Sequence, residues 1–192
     1  MRTFAPIIAC GKKMTPQEYV QLKAFSRVDG ALLALLWTAS FGCYVVGLTN
    51  GVYSMVAVLL AVVTPFFVAR RLRVFRDQVL GGCISFLRGY AFILLTVFYA
   101  AVLFAVAQYV YMAYMDHGYL LHSMTHIVSS PEGQQLMEAY GLTSAEMEAG
   151  LSSMADMRPI DFALNVMTGN LVVGLFIGTP IAFLLQRKLK VE

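Results

Sequence analysis

The chain has 192 residues, of which 59% are hydrophobic and only 13% charged, whereas soluble domains average about half apolar and about a quarter charged. The formal net charge of +3 is gathered in short clusters beside apolar runs. No basic stripe with interleaved aromatic residues is present, which argues against nucleic acid as a partner. The composition therefore predicts a membrane protein whose main partner is the lipid bilayer.

Residues 1–29 form a basic lead-in that contains one helix start. Thr15 is predicted as the N-cap, Pro16 as the first helical residue and Glu18 as the residue that closes a capping box. Apolar side chains then recur at helical spacing from Tyr19 to Phe25, with basic residues between them. This pattern predicts a short amphipathic helix on the membrane surface before the first crossing.

Four long apolar runs follow, and each has the roughly 20 residues that a helical crossing requires. They cover about residues 30–48, 52–69, 90–115 and 162–185, with a turn at Thr49-Asn50-Gly51. Backbone groups in hydrocarbon must be satisfied within a segment, so helices are expected. The predicted fold is an all-α, four-helix transmembrane bundle of two hairpins. Its parts are the lead-in (1–29), crossings one to three (30–115), an outer loop (116–161) and crossing four with a basic tail (162–192).

The charged residues are segregated between the two faces of this arrangement. Thirteen of the 14 basic residues fall in the lead-in, in the segment between crossings two and three, or in the tail, which leaves only Arg158 on the other face. Seven of the 11 acidic residues lie in the loop 116–161. By the positive-inside rule, both termini are predicted to be cytoplasmic.

The loop 116–161 is predicted to contain a pair of short amphipathic helices. One starts at Ser130-Pro131 and ends near Gly141, and the other starts at a second capping box formed by Thr143 and Glu146.

Crossings two and four both carry a Thr-Pro pair ahead of a basic cluster, Thr64-Pro65 and Thr179-Pro180. Two tandem hairpins of the same orientation would produce this likeness. Basic residues belong at both positions in any case, so a duplication and a chance match both remain open. Pro65 and Pro180 each free a carbonyl one turn earlier and predict kinks, for which an ordinary tolerated bend is favoured over a gating hinge.

Small residues form two candidate helix-packing faces. Gly174 and Gly178 make a GxxxG pattern in crossing four with Gly169 further back, and Ala101 and Ala105 offer a similar face on crossing three. Such faces let helices approach closely, either within this chain or with another one.

Candidate chemistry is sparse. None of the four apolar runs contains Asp, Glu, Lys, Arg or His, whereas ion coupling or catalysis inside a membrane usually depends on such a residue. His117, His122 and His126 are weak metal candidates just after crossing three, and solvated histidines are the favoured interpretation because further ligands are missing. No catalytic residue and no cofactor is predicted.

One known family resembles this sequence in the order of its features. The matching pieces are Gly81-Gly82-Cys83-Ile84-Ser85-Phe86 before crossing three, the tyrosine-rich exit of that crossing, Gly141-Leu142-Thr143 before a Glu-rich helix, and the basic terminus. Over about residues 20–190 the chain resembles the four-helix membrane proteins of Bacteroidetes-type bacteria catalogued as domain of unknown function 4199. The resemblance implies the inner membrane of a diderm bacterium and brings no activity with it.

Three functions stay open at this point. The first is a non-enzymatic inner-membrane protein that associates with itself or with partner membrane proteins. The second is a small transporter or channel component with a pathway near the Thr-Pro kinks, Asn165 and Asn170. The third and least supported is a metalloenzyme that uses the three histidines and faces the periplasm.

Overall fold

The computed structural model describes residues 15–187, and helices account for most of them. The predicted all-α fold is confirmed: four of the helices are long and apolar enough to cross a membrane. The described part of the chain contains no strand, only an isolated antiparallel bridge. The helices are α1 (Pro16–Gly47), α2 (Gly51–Val74), α3 (Phe86–Tyr114), α4 (Tyr119–Ser129), α5 (Pro131–Ala139), α6 (Ser144–Ala155) and α7 (Pro159–Leu185).

Helix α1 begins as predicted but differs from the prediction further along. Thr15 and Glu18 form the capping box, with Pro16 at the start. The helix then runs to Gly47 without a break, so the predicted surface helix and the first crossing are one helix. The amphipathic pattern has a second explanation, because Leu22 and Ser26 are buried against other helices of the bundle. The first 14 residues of the lead-in and tail residues 188–192 lie outside the described residues.

The outer loop contains three helices where two were predicted. The predicted capping box at Thr143 and Glu146 starts α6, and Gly141 has a left-handed φ of 67° after α5. The additional helix is α4. It begins because Gly118 adopts φ 83° and because the Asp116 carboxylate accepts hydrogen bonds from the backbone N–H groups of Gly118 and Leu120, both at 3.0 Å.

The four long helices are not arranged symmetrically. Helix α1 packs on α2 and α3, and α7 packs on α3, whereas α2 and α7 make few direct contacts with each other. We call the end that carries the Asn50 turn and α4–α6 the loop end. The opposite end, which carries the α2–α3 connection and the C-terminus of α7, is the basic end. Helix α3 is the most buried of the four and forms the centre of the bundle.

Close backbone approaches fix the contacts of α3 with its neighbours. A Cβ atom built on Gly30 of α1 would lie 2.7 Å from the Tyr99 Cβ and 2.9 Å from the Thr96 carbonyl oxygen. A Cβ on Gly174 of α7 would lie 2.6 Å from a Val97 methyl carbon. Glycine is therefore required at these positions for α1 and α7 to pack at their observed distances from α3.

Candidate functional site

An ion pair between α1 and α2 is buried at the basic end. The Arg71 Nε atom donates to Asp29 Oδ1 at 2.7 Å, and Nη2 also contacts that oxygen. The Asp29 side chain is only 2% exposed, so removal of its partner would leave an unpaired charge in a poorly hydrated environment. This pair was not predicted from the sequence, although a signal was present. Asp29 and Arg71 lie 21 positions before and after Asn50, and an antiparallel helical hairpin brings such positions to the same level.

Two further charged contacts connect helices at the same end. Arg88 at the start of α3 pairs with Glu18 near the start of α1 at 3.5 Å, and both side chains are mostly buried. Beyond α2, a π-helical turn (Phe75–Val79) directs Arg76 toward α7. Its Nη1 atom donates to the Leu185 carbonyl oxygen at 3.1 Å, and this carbonyl belongs to the last turn of α7, where the helix itself provides no donor.

The α2–α3 connection also contacts the end of α7. Gly81 and Gly82 adopt φ values of 67° and 93°, a region that favours glycine, and they turn the chain so that Ile84 reaches α7. Ile84 and Arg187 then exchange backbone hydrogen bonds of 3.1 and 2.9 Å. Together, the charged contacts and this bridge connect all four long helices at the basic end.

A cavity of about 450 Å³ lies between α2 and α7, where these helices make few contacts. All four long helices line it, and α1 and α3 form its rear wall. Its volume is within the range of about 300–1,000 Å³ that is typical of small-molecule sites. Among the described residues that line it there is no Asp, Glu, Lys, Arg or His.

The polar groups of the cavity have different partners. The Trp37 Nε1 atom donates to Thr64 Oγ1 at 3.1 Å, and Ser40 Oγ donates to the Ala57 carbonyl oxygen at 2.9 Å. Gln108 differs from them. It is only 2% exposed, and its Oε1 atom is buried without a hydrogen-bond partner in the described part of the chain. A buried unpaired carbonyl costs about 1–3 kcal/mol, so Gln108 is the group of the cavity that most needs a partner.

The polarity of the cavity changes along its length. Gly174 and Gly178 of α7 contact Val97 and Ile93 of α3, which places these apolar residues in the half toward the basic end. Gln108 lies 11 positions beyond Val97 on α3, or about 16 Å toward the loop end. The cavity thus has a polar portion near the loop end and a hydrocarbon-like portion near the basic end.

The predicted packing residues fall into two groups. Gly174 and Gly178 face α3, and Ala101 and Ala105 are buried. Gly169 lies outside this contact, and a Cβ built on it would have no neighbour within 4 Å. Five residues separate Gly169 from Gly174, which rotates it about 140° around the helix.

The two prolines have different surroundings. Pro65 lies inside α2 and lines the cavity beside Thr64, whereas Pro180 lies inside α7 on an exposed surface. The Thr179 hydroxyl donates to the Leu175 carbonyl oxygen at 3.0 Å. Both helices continue through their prolines, and the kinks and the internal duplication stay predictions.

The structure brings two of the three histidines to one place and leaves the third outside it. His117 Nδ1 lies 3.0 Å from the Met115 carbonyl oxygen, and His117 and His122 border a shallow depression that His126 does not line. Asp116, which also borders it, already caps α4 with both carboxylate oxygens. Within residues 15–187, no three His, Cys, Asp or Glu side chains come together in a way that could hold a metal ion.

The comparisons with known proteins identify a family without a described activity. No curated protein and no solved structure matches the chain. A family profile described as "Protein of unknown function (DUF4199)" matches residues 29–187. The matched region begins at Asp29 and ends at Arg187, and so contains the Asp29–Arg71 ion pair, the bridge at the basic end and the whole cavity. The chain therefore belongs to the DUF4199 family.

Proposed function

We propose that this integral membrane protein is a non-enzymatic component of the bacterial inner membrane that associates with itself or with a partner membrane protein. The four candidate crossings and the family membership support the membrane character. The charge distribution supports cytoplasmic termini, because 13 of the 14 basic residues fall on one face of the predicted topology.

The observation that carries the proposal is an outward-facing polar surface on α7. Asn165, Thr168 and Gly169 are all exposed, and we call them the Asn165–Gly169 face. The Asn165 Nδ2 atom donates to Met157 Sδ at 3.6 Å, and a thioether sulfur is a weak acceptor. The amide can therefore gain from an interhelical hydrogen bond, which stabilises helix association in membranes. Gly169, one turn along, has open space beside it that would admit the backbone of another helix.

The other small-residue surfaces are already occupied within this chain. Gly174 and Gly178 pack on α3, and Ala101 and Ala105 are buried. They serve internal packing, which leaves the Asn165–Gly169 face as the small, polar surface of α7 available to a second protein.

The test is crosslinking in native membranes followed by purification. A stoichiometric crosslinked product is expected, either a dimer of this chain or a complex with one partner. Asn165→Leu and Gly169→Leu should each weaken it about three- to thirtyfold, since interhelical contacts of this kind contribute about 0.6–2 kcal/mol.

Gly42→Leu is the matched control, because Gly42 is also an exposed glycine in a candidate crossing with no neighbour within 4 Å of an added Cβ. A solitary monomer in the native membrane, or equal effects of Gly42→Leu and Gly169→Leu, would contradict the proposal.

The cavity favours a second candidate function, a small transporter or channel component. Thr64, Pro65 and Asn170 all line the cavity, so these three candidate residues border the same space. Labelling of Asn170→Cys by a membrane-impermeant thiol reagent, measured above the background of the unsubstituted protein, would support a water-accessible pathway. A cavity closed to such reagents would remove this candidate.

A further inference from the structure

We infer that the cavity between α2 and α7 binds an uncharged, long-chain amphiphile whose hydroxyl head hydrogen-bonds the side-chain amide of Gln108. This inference is independent of the proposed association, which uses the opposite, outward surface of α7. It rests on the shape of the cavity, on the unpaired amide oxygen of a residue that lines it and on its polarity gradient.

The shape of the cavity favours a chain-like molecule. Its wall on α7 runs from Val166 to Gly178, which corresponds to about 18 Å along the helix axis. The half toward the basic end offers only hydrocarbon surface from residues such as Val68, Ile93 and Val97. A hydrocarbon tail therefore fits this half, whereas a compact polar solute would leave its own polar groups unpaired there.

The chemistry of the polar end selects the head group. The Gln108 side chain lines the cavity, and its Oε1 atom has no hydrogen-bond partner. A side-chain amide both donates and accepts, so a head group that can do either pairs with it. The half-buried Tyr44 also lines the cavity, and its hydroxyl can act as donor or acceptor. Since no Asp, Glu, Lys, Arg or His among the described residues lines the cavity, an ionised head would be desolvated without a counter-charge. A neutral hydroxyl meets all three conditions.

The orientation follows from the positions of these groups. The head lies near the loop end and the tail extends toward the basic end. A lipid in the leaflet at the loop end has the same orientation. Few contacts join α2 and α7, so a molecule already dissolved in that leaflet can enter from the side.

The test uses the full-length protein in phosphatidylethanolamine–phosphatidylglycerol nanodiscs and a hexadecanol probe with a mid-chain diazirine. After illumination, mass spectrometry should locate the label on peptides that line the cavity. Matched diazirine probes with a hexadecane chain or a hexadecanoate head should label these peptides several-fold less.

Two pairs of variants locate the head and the tail. Gln108→Leu should lower labelling by the alcohol about five- to tenfold, because it removes one buried hydrogen bond. Thr96→Val is its control, since Thr96 Oγ1 is also buried on α3 without a partner but does not line the cavity. Ala61→Phe should fill the cavity and abolish labelling, whereas Leu59→Phe, on the same helix but outside the lining, should not.

Folding is checked in probe-free nanodiscs by helical circular dichroism and thermal unfolding. Gln108→Leu should unfold at a higher temperature than the parent protein, because an unpaired carbonyl is removed. If Ala61→Phe does not fold, Val58→Phe replaces it, since Val58 also lines the cavity. Competition by unlabelled geranylgeraniol or by a monoacylglycerol supports the inference and identifies an isoprenoid or a glyceride source. Equal labelling by alcohol and hydrocarbon, unchanged labelling of Gln108→Leu, or no competition by either compound overturns it.

Discussion

At the basic end of this bundle, several polar side chains bond residues that are far apart in sequence, whereas in the outer loop the side-chain hydrogen bonds join near neighbours. Arg71 and Asp29 are 42 positions apart, and Arg76 and Leu185 are 109 apart. The side-chain hydrogen bonds within residues 115–156 span only two to four positions. Polar contacts at the basic end therefore connect different helices, and the side-chain hydrogen bonds of the outer loop mainly define individual helices.

The largest effect is expected from the buried ion pair. Arg71→Ala should lower the free energy of unfolding by about 3 kcal/mol, because it leaves the Asp29 carboxylate, which is only 2% exposed, without its partner. Unfolding in detergent micelles, followed by circular dichroism, measures this change. The double variant with Asp29→Ala should recover part of the loss.

Asp161→Ala provides the control at the loop end. It breaks the Arg158–Asp161 pair, whose side chains are 76% and 38% exposed, so no measurable change is expected. Equal losses for Arg71→Ala and Asp161→Ala would remove the distinction between the two ends.

An intermediate effect is expected at the contact between α7 and α3. Gly174→Ala should cost about 1–3 kcal/mol, because the new methyl group would overlap the Val97 side chain. Gly169→Ala, on the same helix but in open space, should be neutral or slightly stabilising. Adding Val97→Ala to Gly174→Ala should restore part of the stability, and a double variant as unstable as Gly174→Ala alone would argue against this contact.

The smallest effect is expected at the start of α6. The Thr143 backbone N–H donates to Glu146 and lowers the pKa of that carboxyl below its usual value. A lowered pKa stabilises the folded helix above the unfolded-state pKa of about 4.3, and this contribution is lost as the pH falls through the folded-state value. The protection factors of the α6 amides, which are the intrinsic exchange rates divided by the observed rates at the same pH, should therefore fall at low pH.

The matching substitution acts only on this helix. Thr143→Ala should increase exchange in α6 about fivefold at neutral pH, with no change in α3. An equal increase in α3 would show that the loop helices are coupled to the bundle.

The difference between the two ends also explains what the sequence could predict. Local signals located the capping boxes at Thr15 and Thr143, the turn at Asn50 and the four candidate crossings, because each depends on neighbouring residues. The continuity of α1 was missed, since the polar residues of its first part suggested a surface helix, whereas Ser26 and Asp29 are buried by α2 and α3.

The cavity could not be predicted for a related reason. Gln108 and Asn170 are recognisable as polar residues within apolar runs, but their approach to one cavity depends on α2 and α7 standing apart. The separation between α2 and α7 cannot be derived from the hydropathy of the sequence. The pair Asp29–Arg71 was accessible in principle, because it needs only the symmetry of a helical hairpin about its turn.

The central claim is that four crossings place the basic end in the cytoplasm and the loop end outside it. Alkaline phosphatase inserted in the α5–α6 connection, near Gly141, should be active. The same enzyme fused after Glu192 should be inactive, and green fluorescent protein fused at that position should be fluorescent. An active phosphatase at the C-terminus, or an inactive one at Gly141, would contradict the topology on which the proposed association and ligand orientation depend.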